Sequence, residues 1–140
     1  MTNRRNFIKT LSCVSCLGLA TVATMCKSFY YAPHTLNKNE KNIIISKTEF
    51  DTHSYIIVKN NELPADIYVC KLADNQYSAL LMKCSHKGCD LNPVGDTLHC
   101  PCHGSDFTNR GEVLSPPADM PLHSFKVTTD NQQLIIHLGV

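Results

Sequence analysis

Five short runs carry most of the apolar residues downstream of position 41: NIIISKTEF from Asn42, SYIIVKN from Ser54, DIYVCKL from Asp66, YSALLMK from Tyr77 and SFKVTTDNQQLIIHL from Ser124. They are rich in Ile, Val, Tyr and Thr and are separated by Asn, Asp, Pro and Gly, the pattern of short strands joined by turns. Asp130-Asn131 divides the last run and predicts a hairpin turn. No stretch of this region repeats apolar residues at helical spacing over ten or more positions. The expected class is therefore all-β, an antiparallel sandwich or small barrel. Alternation within Ile67 to Leu72 puts Cys70 on one face with Tyr68 and Leu72. A half-buried strand packs cysteine as a small hydrophobe, so Cys70 is expected in the core.

Upstream the pattern changes. Arg4, Arg5 and Lys9 precede an uncharged run from Thr10 to Cys26, the order of an export signal. The paired arginines followed by NFIK resemble a twin-arginine signal, whose pathway carries folded proteins. Residues 1–31 are thus expected to be a signal or membrane anchor. As a helix, Leu11 to Met25 would reach about 22 Å, short of the roughly 30 Å hydrocarbon core. A retained anchor would need tilting neighbours or help from Phe29 and Tyr30, and Cys26 is a candidate lipidation site. Residues 32–41 lack apolar periodicity and are expected to be a linker, with the globular domain at 42–140.

Thirteen basic residues against twelve acidic ones in 140 residues leave a nearly neutral chain. That excludes the basic footprint of a nucleic-acid binder. The length suits one domain with an appendage.

Four of the eight cysteines and three of the seven histidines fall between Cys84 and Phe107, in CSHKGCDLNPVGDTLHCPCHGSDF. Cys84 and His86 are spaced CxH, Cys100 and His103 CxxH, with Gly88 and Gly104 positioned for tight turns. Short spacing lets one loop present two donors, and a longer intervening segment lets two loops face each other across a metal. His99 is expected to be a strand residue beside Cys100, and the scattered His34, His53, His123 and His137 to be surface or satisfied core positions.

CSHKGC and CPCHGSDF resemble the paired loops of the Rieske iron-sulfur family. The resemblance implies one 2Fe-2S cluster, with Cys84 and Cys100 on one iron and His86 and His103 on the other, inside cluster-binding loops at 84–122. Neutral imidazoles in place of two thiolates favour the reduced state, giving potentials of about −150 to +300 mV against about −400 mV for plant-type ferredoxins. It further implies a disulfide between Cys89 and Cys102, which match the pair in the quinol-oxidising branch. Cys13, Cys16 and Cys26 then remain in the signal. Ser105 matches a serine that donates to a bridging sulfide. Phe107 stands where high-potential members carry a tyrosine that donates to a ligand sulfur, so a potential below the top of the range is expected. SPPADMPL, Ser115 to Leu122, matches the proline-rich loop over the cluster, whereas Lys87 stands where quinol-oxidising members usually have leucine.

Ring-hydroxylating members carry a second, mononuclear-iron domain, for which the 37 residues after His103 leave no room. The expected function is therefore the iron-sulfur subunit of a quinol:cytochrome c oxidoreductase at the outer face of a bacterial cytoplasmic membrane. Its partners would be cytochrome b, a c-type cytochrome and quinol, with His86 or His103 accepting the quinol proton. The alternative is a small exported electron carrier or small subunit of another periplasmic oxidoreductase, arsenite-oxidase-like. A zinc-stabilised binding module, using the same donors, is the reading from another class.

Overall fold

The computed structural model describes residues 30–32, 34–37, 41–73 and 75–139. The expected signal or anchor, including Cys26, lies outside them but for its last two residues. Eleven strands follow in order among the described residues: β1 (Thr35–Asn37), β2 (Asn42–Ser46), β3 (Tyr55–Val58), β4 (Ile67–Ala73), β5 (Gln76–Leu81), β6 (Asn92–Val94), β7 (Thr97–His99), β8 (Asp106–Thr108), β9 (Val113–Ser115), β10 (Lys126–Thr129) and β11 (Gln133–His137). One short 3₁₀ turn, Lys47–Asp51, opens on Ser46, whose hydroxyl accepts from the Thr48 amide. The all-β expectation holds, and no helix among the described residues is long and apolar enough to cross a membrane.

All strand pairing within the sheets is antiparallel, in three sheets of order β1-β2-β11-β10, β3-β4-β5 and β6-β7-β8-β9. The middle sheet is covered on both faces. Ile56, Val58, Ile67, Val69 and Ala79 pack with Ile43, Ile45, Leu134 and Ile136 of the first sheet. Ile57, Tyr68, Cys70 and Leu80, the alternate positions, pack with Leu91, Leu98, Cys84, Cys100 and Phe107. Side chains of successive strand residues point to opposite faces, so burial on both sides explains why these strands read as IIV, IYVC and ALL rather than as strict alternation. Each Ile, Val or Leu among them contributes about 1.5–3 kcal/mol on burial, and β4 contributes to both cores. Cys70 is buried as expected, its thiol 3.6 Å from the Asn109 carbonyl oxygen.

The hairpin at Asp130 forms: its Oδ1 accepts from the amides of Gln132 and Gln133 at 2.8 and 2.7 Å. Those bonds hold the Asp130 carboxyl below its ordinary pKa. The linker expectation for 32–41 needs correction. Strand β1 pairs with β2, and Tyr30 and Ala32 exchange backbone hydrogen bonds with Ile57 at the free edge of β3. Tyr30 also donates to Glu49 at 2.6 Å and stacks on His53. Ala32 is buried in the core, but backbone hydrogen bonds carry most of this role, so the lack of apolar periodicity hid it.

Candidate metal centre

Two loops on the Tyr68 face of the middle sheet share one backbone frame. In the first, between β5 and β6, the Cys84 amide donates to the Cys89 carbonyl and the Gly88 amide to the Cys84 carbonyl, both at 2.8 Å. In the second, the β7–β8 connection, the Cys100 amide donates to the Ser105 carbonyl at 2.8 Å and the Gly104 amide to the Cys100 carbonyl at 3.0 Å. Gly88 and Gly104 sit at φ +72° and +82°, left-handed conformations that cost side-chain-bearing residues more. In each loop the first cysteine bonds to the residue five positions on, and a glycine four positions on closes the turn.

Cys84 and Cys100 are both buried, free thiols. Both belong to one core cluster. Burial pushes the Cys84 thiol above its ordinary pKa, against the pull of the His86 and Lys87 backbone N–H groups aimed at the sulfur. The imidazoles of His86 and His103 face one another edge to face, ring centroids 4.9 Å apart. His86 is half-buried and His103 exposed. The Nδ1 of His86 is buried without a hydrogen-bond partner. A buried polar atom left unpaired is costly, and a metal ion is a partner that a neutral ring nitrogen readily takes. The donor set of two sulfurs and two nitrogens suits a mixed-ligand iron-sulfur centre.

Cys89 and Cys102 form a disulfide that joins the two loops, with Cα atoms 6.5 Å apart. The sulfurs of Cys89, Cys100 and Cys102 lie within 4.8 Å of one another. Two of them share the disulfide, so only Cys100 in that trio has a thiolate to offer a metal. Over both loops runs the segment of Ser115 to Leu122, with a cis Pro116–Pro117 bond. Ser85 of the first loop donates to the Met120 carbonyl at 2.6 Å. Ala118 donates its amide to the Ser105 hydroxyl of the second at 2.9 Å. Ser105 is fully buried, and because its oxygen accepts from Ala118, its own hydrogen stays available to another acceptor. Phe107 is fully buried in the same core as Cys84 and Cys100.

The residues expected at the site thus lie on two disulfide-linked loops, with the two histidine rings in contact and both free thiols in one core with Phe107. A polar chain beside them was not foreseen. His99 Nδ1 lies 2.7 Å from Asp106 Oδ1, and Ser115 donates to Asp106 Oδ2 at 3.1 Å. The His99 ring, with help from Ser115, holds the Asp106 carboxyl below its ordinary pKa. Its signal in the sequence is that the three residues flank the cluster loops, but strand register is needed to make them neighbours.

A family profile described as the Rieske [2Fe-2S] domain matches residues 40–126. The cytochrome b6-f complex iron-sulfur subunit of Chlorobaculum tepidum is 32% identical over 58 residues, 40% of this chain and 32% of that protein. The cytochrome b6-f complex iron-sulfur subunit 3 of a Nostoc species is 36% identical over 59 residues, 41% and 33% of the two chains. The chain spans about a third of the length of these curated relatives. Among solved structures, the cyanobacterial plasma membrane Rieske protein PetC3 from Synechocystis superposes with a TM-score of 0.57 at 22% identity, covering 65% of this chain and 93% of that one. At that identity the likeness speaks for the fold. The profile match decides between zinc and a cluster as the cofactor. The chain belongs to the Rieske [2Fe-2S] family, and the cofactor of its domain is a 2Fe-2S cluster.

Proposed function

We propose that the protein is an electron-transfer subunit in which Cys84 and Cys100 hold one iron of the cluster and His86 and His103 the other. The observation that carries this assignment is the pair of matching loop frames, which carry two buried free thiols and two facing imidazoles, one with an orphaned Nδ1. When bound, the cluster accepts and passes on a single electron. The protein's own residues do the rest. The Cys84 and Cys100 side chains sit among apolar neighbours that exclude water. Ser105 is held to offer its hydroxyl hydrogen inward.

The partner reading is the iron-sulfur subunit of a quinol-oxidising cytochrome complex, with a cytochrome b and a c-type cytochrome as partners, at the outer face of a bacterial cytoplasmic membrane and tethered by residues 1–31. Similarity to subunits named for the cytochrome b6-f complex supports it. In that role one ring nitrogen of each histidine binds iron and the other remains to accept the quinol proton; His103, the exposed ring, is the better placed of the two. Exposure of Lys87 between His86 and Gly88 favours the alternative, a small exported carrier that docks on an acidic partner.

Purification from membranes tests both levels. A low-temperature EPR signal of a mixed-ligand 2Fe-2S centre after reduction, with co-purifying cytochrome b and a pH-dependent midpoint potential, is the expected result. A colourless protein holding zinc would overturn the cofactor ligation. An EPR-active protein with no cytochrome b and a lower, pH-independent potential would overturn the quinol-oxidising role and leave the carrier.

A further inference from the structure

The chain of His99, Asp106 and Ser115 occupies an unusual place. His99 is the last residue of β7 and immediately precedes Cys100; Asp106 is the first of β8 and immediately follows Ser105. Ser115 is the last of β9 and immediately precedes Pro116. The three side chains thus stand at both feet of the second cluster loop and at the root of the proline segment. Register makes them neighbours: His99 pairs with Asp106, and Asp106 with Ser115. The second pairing exists because of an irregularity. Asp106 opposes Ser115 while Phe107 opposes Val113, so Leu114 is an extra residue, and it is left 54% exposed. Bulges commonly re-aim side chains near functional sites. Without this one, leucine would face the carboxylate and Ser115 could not reach it.

We infer that Asp106 is a positioning residue, bridging His99 and Ser115 so that the proline segment is locked against the second loop and Ser105 is held in register with the cluster. The inner tie between these segments is the Ala118 amide on the Ser105 hydroxyl; the outer tie is Asp106 with Ser115. The two ties lie on adjacent residues of the second loop, Ser105 and Asp106, and reach residues three apart in the proline segment. Loosening the outer one lets Ala118 move and leaves the Ser105 hydroxyl free to rotate. The bridge is about a third exposed, so its effect belongs to geometry rather than to a large ion-pair energy.

This rests on the cluster reading above, and the test separates the two. Hydrogen exchange read by mass spectrometry on the full, cluster-loaded chain follows the peptide containing Ala118. Ser115→Ala and Asp106→Ala are expected to speed exchange there roughly two- to tenfold, the range for one net hydrogen bond. Both are expected to lower the midpoint potential, because a freely rotating Ser105 donates less to the cluster. Asp106→Asn is expected to stay close to wild type in both readouts: its carboxamide oxygen can take the His99 hydrogen bond and its NH₂ can donate to the Ser115 hydroxyl. Unchanged exchange and potential in both alanine variants would overturn the inference. So would an Asn variant as impaired as the Ala variant, which would assign the effect to charge. If Asp106→Ala fails to load, Ser115→Ala, which removes one hydroxyl, decides the matter alone. A wild-type protein without the EPR signal would instead sink the cluster reading, and the exchange comparison still reads the bridge in the unloaded chain.

Discussion

The two cluster loops have the same backbone frame and different side chains on it. Position for position, Cys84 corresponds to Cys100, Gly88 to Gly104 and the buried Leu91 to the buried Phe107. The rest is permuted: where the first loop has His86 the second has Cys102, and where the first has Cys89 the second has Ser105. The frame thus delivers two sulfurs equivalently, while the permutation makes the histidines unequal, His86 half-buried and His103 exposed. The equivalent positions are the buried cysteines, and the unequal ones are the histidines, one half-buried and one exposed.

Removing the equivalent donors gives the largest expected effect. Cys84→Ser and Cys100→Ser should each abolish the cluster, with loss of visible absorbance and of the EPR signal in the reduced protein, to the same degree. A variant that keeps the wild-type spectrum would remove that cysteine from the ligand set. A difference between the two would show that the loops are less alike than their hydrogen bonds.

Much of this site was legible because cysteine and histidine are rare and their spacing is local. CxH, CxxH and the glycines needed no knowledge of the fold, and the Cys89–Cys102 bridge followed from the family resemblance. All-β character was legible from short apolar runs. The less local features were not. Residues 35–37, Thr-Leu-Asn, pair with β2 as a strand, and three residues are too few to show a period. His53, expected at a surface or satisfied core position, stacks on Tyr30, 23 positions away, a partner its sequence neighbours do not reveal. The Asp106 bridge depends on a bulge that places Leu114 outside the pairing, and strand register over three-residue strands cannot be read from alternation.

The disulfide is what makes the two loops one unit, so its removal should be next in size. Cys89 and Cys102 are 13 residues apart, and closing a loop of that length stabilises by about 3 kcal/mol in the chain-entropy account. The double Cys89→Ser, Cys102→Ser variant should unfold at lower urea by about that amount and lose its cluster faster on standing. A variant with the wild-type urea midpoint and bleaching rate would show that the frames and the proline segment suffice.

Phe107→Tyr tests the corresponding pair of buried residues, Leu91 and Phe107. A hydroxyl on the second loop only should raise the midpoint potential by donating toward a ligand sulfur. It should lower stability by about 1 kcal/mol in cluster-free protein, where a buried hydroxyl lacks that acceptor. Redox titration of the variant checks the first effect; an unchanged or lowered potential would place residue 107 out of reach of the ligand sulfurs.

The smallest expected difference is between the two turn glycines. Both adopt left-handed conformations, so alanine at either should cost roughly 1–2 kcal/mol of backbone strain. The surroundings differ. A Cβ at Gly104 meets nothing within 4 Å, whereas one at Gly88 comes to 3.2 Å from Lys83 Cε. That atom is near the end of a flexible side chain whose Nζ donates to the Pro64 carbonyl at 3.3 Å, so the lysine can yield and forfeits at most one exposed hydrogen bond. Gly88→Ala should therefore be less stable than Gly104→Ala by no more than about 1 kcal/mol, read from urea midpoints of the loaded proteins. A larger gap would mean that Lys83 anchors the first loop in a way the second loop has no need of, and a reversed order would mean that the frame, rather than its neighbours, differs between the loops.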